Sequence, residues 1–170
     1  MKKFMFVFAT VVAMSFSGVV SAQKTIVDVA VGNSDFSTLV AALKAADLVT
    51  PLQAEGPYTV FAPNNAAFGK IDQNALGNLL KPENKKALSN ILTYHVIPSK
   101  LMASDVVAAL KKGSGKVEVK ALNGQTLTVV SKDGKIWLQD QKGNYSEIIA
   151  TDVKADNGVI HVIDTVVMPN

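Results

Sequence analysis

Cysteine is absent from all 170 residues. That absence excludes disulfides, thiol catalysis and thiolate metal sites together. It also leaves no lipobox cysteine for acylation. Histidine is scarce, with His95 and His161 the two in the chain. A zinc site takes three or four ligands, and no H-x-x-x-H or H-E-x-x-H spacing occurs. The phosphate-cradling loops and the G-x-S-x-G nucleophile elbow are missing as well. Charge of one sign is never concentrated. The formal net charge of +3 falls to +1 once Lys2 and Lys3 are set aside. The densest basic clusters are the pairs Lys85–Lys86 and Lys111–Lys112, which read as solvated helix faces. Nucleic acid needs a basic patch that displaces counterions, so it is excluded as a partner class.

One long apolar run is present, at the start. Lys2 and Lys3 precede a stretch from Phe4 to Phe16 that is broken by Thr10 and Ser15. Small residues follow, ending Val20-Ser21-Ala22-Gln23. Charged, apolar and small-residue regions in this order read as a secretion signal. Val20 and Ala22 suit the two recognition places, so cleavage is expected after Ala22. The run falls short of the roughly 20 apolar residues of a spanning helix. Residues 1–22 are therefore expected to be removed, leaving 23–170 as a single domain without a stable membrane anchor, exported to the periplasm or the extracellular space.

The remaining 148 residues read as helices first and strands later. Ser34 or Asp35 caps a helix whose face is Phe36, Leu39, Val40 and Leu43, at 3.6-residue spacing. Thr50 and Pro51 are expected to stop it. Tyr58 to Ala62 is a strand ended by Pro63. Asn64 caps a short helix, a second covers Gln73 to Leu80, and Pro82 opens a third that carries Leu88, Ile91 and Leu92. Ser104 is expected to cap a fourth, with Val106, Val107 and Leu110 inward and Gly113 at its end. From Lys116 the period changes to two. Asn123-Gly124 and Asp133-Gly134 are hairpin turns. Ile148 to Val153 and Val159 to Met168 complete an antiparallel meander. The fold class is α+β.

Chemistry-bearing residues stay dispersed. His161 and Asp164 are three apart in an expected strand, so their side chains point to opposite faces. Asp152 and Asp156 flank a turn and could meet a cation, although a solvated turn is the simpler reading. Asn144-Tyr145-Ser146 fits a glycosylation sequon, a weak match for a single tripeptide. Trp137 lies mid-strand and is expected to pack in the core. No nucleophile, base and oxyanion donor assemble, so no enzyme activity is expected.

Three segments resemble a known family. Thr59-Val60-Phe61-Ala62-Pro63-Asn64-Asn65-Ala66-Ala67-Phe68 resembles the first signature of fasciclin domains. Tyr94-His95 before Val96-Ile97-Pro98 looks like their central tyrosine–histidine motif. Asn157-Gly158-Val159-Ile160-His161-Val162-Ile163-Asp164 is similar to their second signature. Asn64 departs from the usual Thr, yet Asn caps helices equally well. The resemblance spans residues 23–170 and implies a fasciclin-type fold, helices packed with an antiparallel β-wedge or sandwich. It further implies that the two signatures lie side by side near the middle of the fold. Thr59, Asn65, His95, His161 and Asp164 are then expected in one polar network, and His95→Ala is expected to lower stability. Thr59, Phe61, Pro63, Asn65, Phe68, Tyr94, His95, Gly158, Ile160, His161, Ile163 and Asp164 are the signature positions carried over.

The resemblance implies a non-enzymatic interaction protein of the cell surface or matrix, acting in adhesion, with a protein or polysaccharide partner and no cofactor. The alternative it implies is a carrier of a small apolar ligand such as a carotenoid or lipid. Ile97, Leu101 and Met102 are the candidate groove for that ligand, Met being adaptable to varied shapes.

Overall fold

The computed structural model describes residues 24–170; the expected signal and its cleavage point lie outside the described residues. Among the described residues seven α-helices and seven strands follow in chain order. Helix α1 (Ile26–Val31) opens the domain, capped by the Thr25 side chain, which accepts from the Asp28 N–H. A 3₁₀ turn (Ser34–Phe36), capped by Asn33, leads into α2 (Ser37–Ala45). The expected stop at Thr50-Pro51 is corrected: α2 ends at Ala45, and Thr50 and Pro51 belong to α3 (Val49–Gln53). Pro51 sits in the first turn of that helix, where its missing N–H costs nothing.

Strand β1 (Tyr58–Pro63) runs into α4 (Asn65–Gly69). Asn64 caps α4, accepting from the Ala67 N–H at 2.8 Å. Helix α5 (Gln73–Leu79) is capped by Asp72. A 3₁₀ turn at Pro82–Asn84 precedes α6 (Lys85–Tyr94). The short β2 (Val96–Ile97) follows, then α7 (Ala103–Lys112). This last helix begins before Ser104, so Ser104 is not its cap; the Asp105 carboxylate instead accepts the Met102 N–H at 3.0 Å. Strands β3 (Lys116–Lys120), β4 (Thr126–Lys132), β5 (Lys135–Gln139), β6 (Tyr145–Ala155) and β7 (Gly158–Ile163) complete the chain. Strand β7 ends at Ile163, short of the expected Met168.

The strands form one sheet in the order β2-β1-β7-β6-β5-β4-β3. From β3 to β7 each pair is antiparallel, the expected meander. The sheet is nevertheless mixed, because β1 pairs with β7 in parallel, Tyr58 opposite Gly158 through Pro63 opposite Ile163. A Cβ on Gly158 would lie 2.3 Å from the Tyr58 carbonyl oxygen, so glycine is required for the strands to meet there.

Two cores follow from this topology. The first holds Val60, Ala62 and Ile160 of β1 and β7 against Ile26, Leu39, Leu43, Leu92 and other residues of the helices. The second joins Phe61 and Ile163, from the opposite faces of the same strands, to Leu127, Val129 and Leu138 of the meander and Val106 and Leu110 of α7. The sheet therefore curls so that its meander closes over β1 and β7. Those two strands are buried on both faces, while β3, β4 and β5 bury one.

Candidate functional site

The paired signature strands and the segments beside them position the candidate residues, and each polar side chain among them is spent on groups of the chain itself. Thr59 is fully buried. Its hydroxyl donates to the Ser99 carbonyl at 2.6 Å and accepts the Leu101 N–H at 2.8 Å. His161, across the parallel pair, is bonded through Nε2 to the Leu101 carbonyl at 2.7 Å. Its Nδ1 accepts the Asp152 N–H at 3.3 Å. These partners assign its proton to Nε2. Asp152 in turn accepts the Ala103 N–H at 2.8 Å, at the start of α7. Thr59, His161 and Asp152 thus form a clasp on the segment from Ser99 to Ala103. Phe61 stacks on the His161 ring, centroids 5.7 Å apart.

His95 closes α6 and works the opposite way. Its Nδ1 donates to the Ile91 carbonyl at 2.8 Å, and its Nε2 accepts the Val167 N–H at 3.2 Å. Burial pushes its pKa down to about 4, against a smaller raising effect from the Ile91 carbonyl. Neither histidine keeps a free ring nitrogen. The adjacent Tyr94 is fully buried and donates its hydroxyl to the Thr126 carbonyl at 2.9 Å. Burial and the nearby Asp140 carboxylate raise its pKa.

Asn65 and Asp164 lie apart from these groups. Asn65 accepts the Thr38 N–H at 3.0 Å and donates to the Ser34 carbonyl at 2.9 Å, fastening the start of α2. Asp164 stands beyond the end of β7, so the expected strand alternation does not apply to it. It meets Lys70 Nζ at 2.9 Å and the Glu147 N–H at 2.8 Å. Partial burial raises its pKa, but Lys70, the Glu147 amide and Thr165 outweigh that and hold it lowered. The single polar network expected of Thr59, Asn65, His95, His161 and Asp164 is corrected accordingly. Thr59 and His161 converge on Leu101, whereas the other three fasten separate ends of the fold.

Pro63, Phe68, Ile160 and Ile163 are buried apolar positions of the paired segments. The groove of Ile97, Leu101 and Met102 is corrected. Ile97 is 3% exposed and belongs to the second core, and Leu101 packs partly on it. An open groove of about 420 Å³ lies instead between α7 and the β4–β5 turn, lined by Val107, Leu110, Lys111 and Ile136. A void of about 20 Å³ in the first core is lined by Ile26, Leu39, Phe61 and His95. That is room for one water molecule and none for a lipid.

Other residues carry more than the sequence indicated. Asn157 donates to the Leu52 and Ala54 carbonyls, both at 2.9 Å, and accepts the Ile26 N–H at 2.8 Å, joining α1 and α3 to the β6–β7 turn. Asp152 is not part of that turn; it sits within β6 at positive φ, beside a register shift. Asp156 accepts the Lys24 N–H at 2.6 Å. Asp152 and Asp156 therefore serve as backbone acceptors, and among the described residues no group of carboxylates or imidazoles forms a metal cluster. Trp137 is also a correction. It belongs to neither core and sits half-buried on the outer face of the meander.

The curled mixed sheet with its two cores defines a fasciclin-type domain. The family model for the Fasciclin domain matches residues 34–169, and the chain belongs to the fasciclin family. It is similar to Protein sll1483 of Synechocystis sp. (strain ATCC 27184 / PCC 6803 / Kazusa), 52% identical over 145 residues, 85% of this chain and 73% of that protein. The cell surface glycolipoprotein MPB83 of Mycobacterium bovis (strain BCG / Tokyo 172 / ATCC 35737 / TMC 1019) is 33% identical over 153 residues, 87% of this chain and 62% of its own. Among solved structures, a FAS1 domain pair from the insect cell adhesion molecule fasciclin I superposes with a TM-score of 0.73 at 19% identity. The match covers 84% of this chain and 50% of that one.

Proposed function

We propose that this chain is a non-enzymatic interaction protein that works outside the cytoplasm, binding a partner at the cell surface or matrix. The observation that carries the reading is the fate of the polar signature residues. Thr59, His95 and His161 are each spent on backbone groups of the chain itself. A general base needs a nitrogen within reach of a substrate proton, and both imidazoles are already committed. The signature segments therefore act as scaffold, and recognition falls to the surface that the scaffold holds rigid. The expected secretion signal and the relative named as a cell surface glycolipoprotein support a place outside the cytoplasm.

Deleting the gene and measuring attachment of cells to surfaces and to their own matrix tests the reading. Loss of attachment, restored by protein added from outside, is expected. Unchanged attachment overturns it. The carrier reading has one specific support, the groove of about 420 Å³ beside Val107 and Ile136, and mass spectrometry of an organic extract of the native protein decides it.

A further inference from the structure

Strands β3 to β6 turn one face toward α7 and the second core and the other outward. On the outward face the register sets Val130 opposite Trp137 and Trp137 opposite Glu147. Gln139 lies opposite Tyr145, which makes Tyr145 a diagonal neighbour of Trp137 on the same face. Neither Val130 nor Trp137 belongs to a core. Tyr145 is 46% exposed and Ile149 49% exposed. The face is thus an aromatic and aliphatic strip left open by the fold.

Its polar groups are arranged around that strip. The Gln139 amide donates to the Tyr145 hydroxyl at 2.9 Å. The Trp137 Nε1–H is covered and has no hydrogen-bond partner in the chain. Cations outnumber anions. Lys116, Lys120, Lys132 and Lys135 lie in the outward register with Glu118 and Glu147 as the carboxylates. Lys116 and Lys135 pair with those two glutamates. Lys132 instead lies 5.8 Å from the centroid of the Tyr145 ring.

We infer that the outer face of β3–β6, centred on Trp137, Tyr145 and Lys132, binds an acidic polysaccharide. This deepens the surface-binding reading above and rests on it. A sugar ring offers C–H groups to an aromatic face such as that of the half-exposed Tyr145 ring. A uronic acid residue adds a carboxylate that the excess lysines complement. The apolar side chains here are interleaved with Gln139, Glu147 and lysines, unlike the continuous apolar centre of a stable protein interface. A repeating polymer also lets many copies of this domain bind one chain of ligand, which adds avidity to a weak single contact.

The chain supplies its own probe, because Trp137 is its one tryptophan. Titrating the protein with alginate, a polymer of uronic acids, is expected to shift Trp137 emission. The shift is expected to fade as NaCl is raised, through screening. Dextran, a neutral polymer, is expected to leave emission unchanged. Co-sedimentation with alginate is expected to weaken about ten-fold or more for Trp137→Ala, the size of effect typical of an aromatic anchor. Lys132→Gln is expected to weaken it by a smaller factor, with melting temperatures near that of the parent. No response to alginate overturns the inference, as does an equal response to dextran. A response confined to anionic phospholipid vesicles or to a protein partner also overturns it. Should Trp137→Ala restore attachment to the deleted strain as well as the parent does, this face is wrong while the surface-binding reading stands. Unchanged attachment in the deleted strain itself sinks that reading instead.

Discussion

Strands β1 and β7 differ from β3, β4 and β5 in what each face touches. Val60 and Ile160 point into the first core while Phe61 and Ile163 point into the second. The polar side chains of that pair, Thr59 and His161, are 0% and 1% exposed and lie inside the protein. In the meander, Leu127, Val129 and Leu138 are fully buried, while the outward residues Thr128, Val130, Trp137 and Gln139 are half-exposed. A strand buried on both faces must satisfy every polar atom internally. A strand buried on one face can leave its outer side chains to solvent or to a ligand. The signature residues therefore fall on the scaffold, and the surface free to recognise a partner falls on the meander.

Truncation tests this division most strongly. Phe61 is fully buried and stacks on His161. Phe61→Ala is expected to cost about 3–5 kcal/mol, as large-to-small core changes do. Trp137→Ala, on the outward face, is expected to cost under about 1 kcal/mol despite removing a larger side chain. Urea denaturation followed by circular dichroism measures both. Equal costs would mean that the outer face is as structural as the paired strands.

The same contrast governs what the sequence reveals. One-sided burial imposes alternation, so Val117, Val119 and Ala121, with the Asn123-Gly124 and Asp133-Gly134 turns, made the meander readable residue by residue. The β1–β7 pairing joins segments some hundred residues apart. Two-sided burial makes them continuous apolar runs, and nothing local sets their parallel direction. Helix α1 was not anticipated, since six residues are too few for a periodic pattern. Pro51 misled because proline stops a helix in its interior and opens one in its first turn. The residue types of the candidate site were legible through the fasciclin resemblance, but their partners were not. His95 and His161 bind the backbone of Val167, Ile91, Leu101 and Asp152, and backbone groups leave no mark on residue type beyond excluding proline at the two donors. A mid-strand position predicts a core site for Trp137, and the curl that leaves its face outside is a tertiary property.

Acid sharpens the comparison at intermediate size. The folded pKa of His95 lies at about 4, below its ordinary 6.5. The unfolded chain therefore takes up a proton on this residue between those values while the folded chain does not. Stability is unaffected above about pH 6.5 and falls as the pH drops from 6.5 toward 4, by up to about 3 kcal/mol for a shift of this size. Denaturation midpoints at steps across that window measure it, and His95→Gln is expected to flatten the curve. A parent curve as flat as the variant's would mean that His95 accepts its proton in the folded state.

The smallest effect concerns the clasp that links the two regions. Asp152 belongs to β6, but its carboxylate accepts the N–H of Ala103 and its own N–H is held by His161 of the central pair. Asp152→Ala keeps the second bond and removes the first, freeing one N–H at the start of α7. Loss of a helix N-terminal acceptor costs about 1 kcal/mol. The substitution also places alanine at a φ of 59°, which aspartate tolerates better. Asp152→Asn keeps both the acceptor oxygen and the tolerance of that backbone. Alanine is therefore expected to lower stability by about 1–2 kcal/mol and asparagine by a few tenths. Hydrogen exchange locates the effect: faster exchange at Ala103 with unchanged exchange along β1 and β7 is expected. Faster exchange throughout the central strands would make the clasp part of the scaffold itself, and the boundary between the two regions would move from β6 to the start of α7.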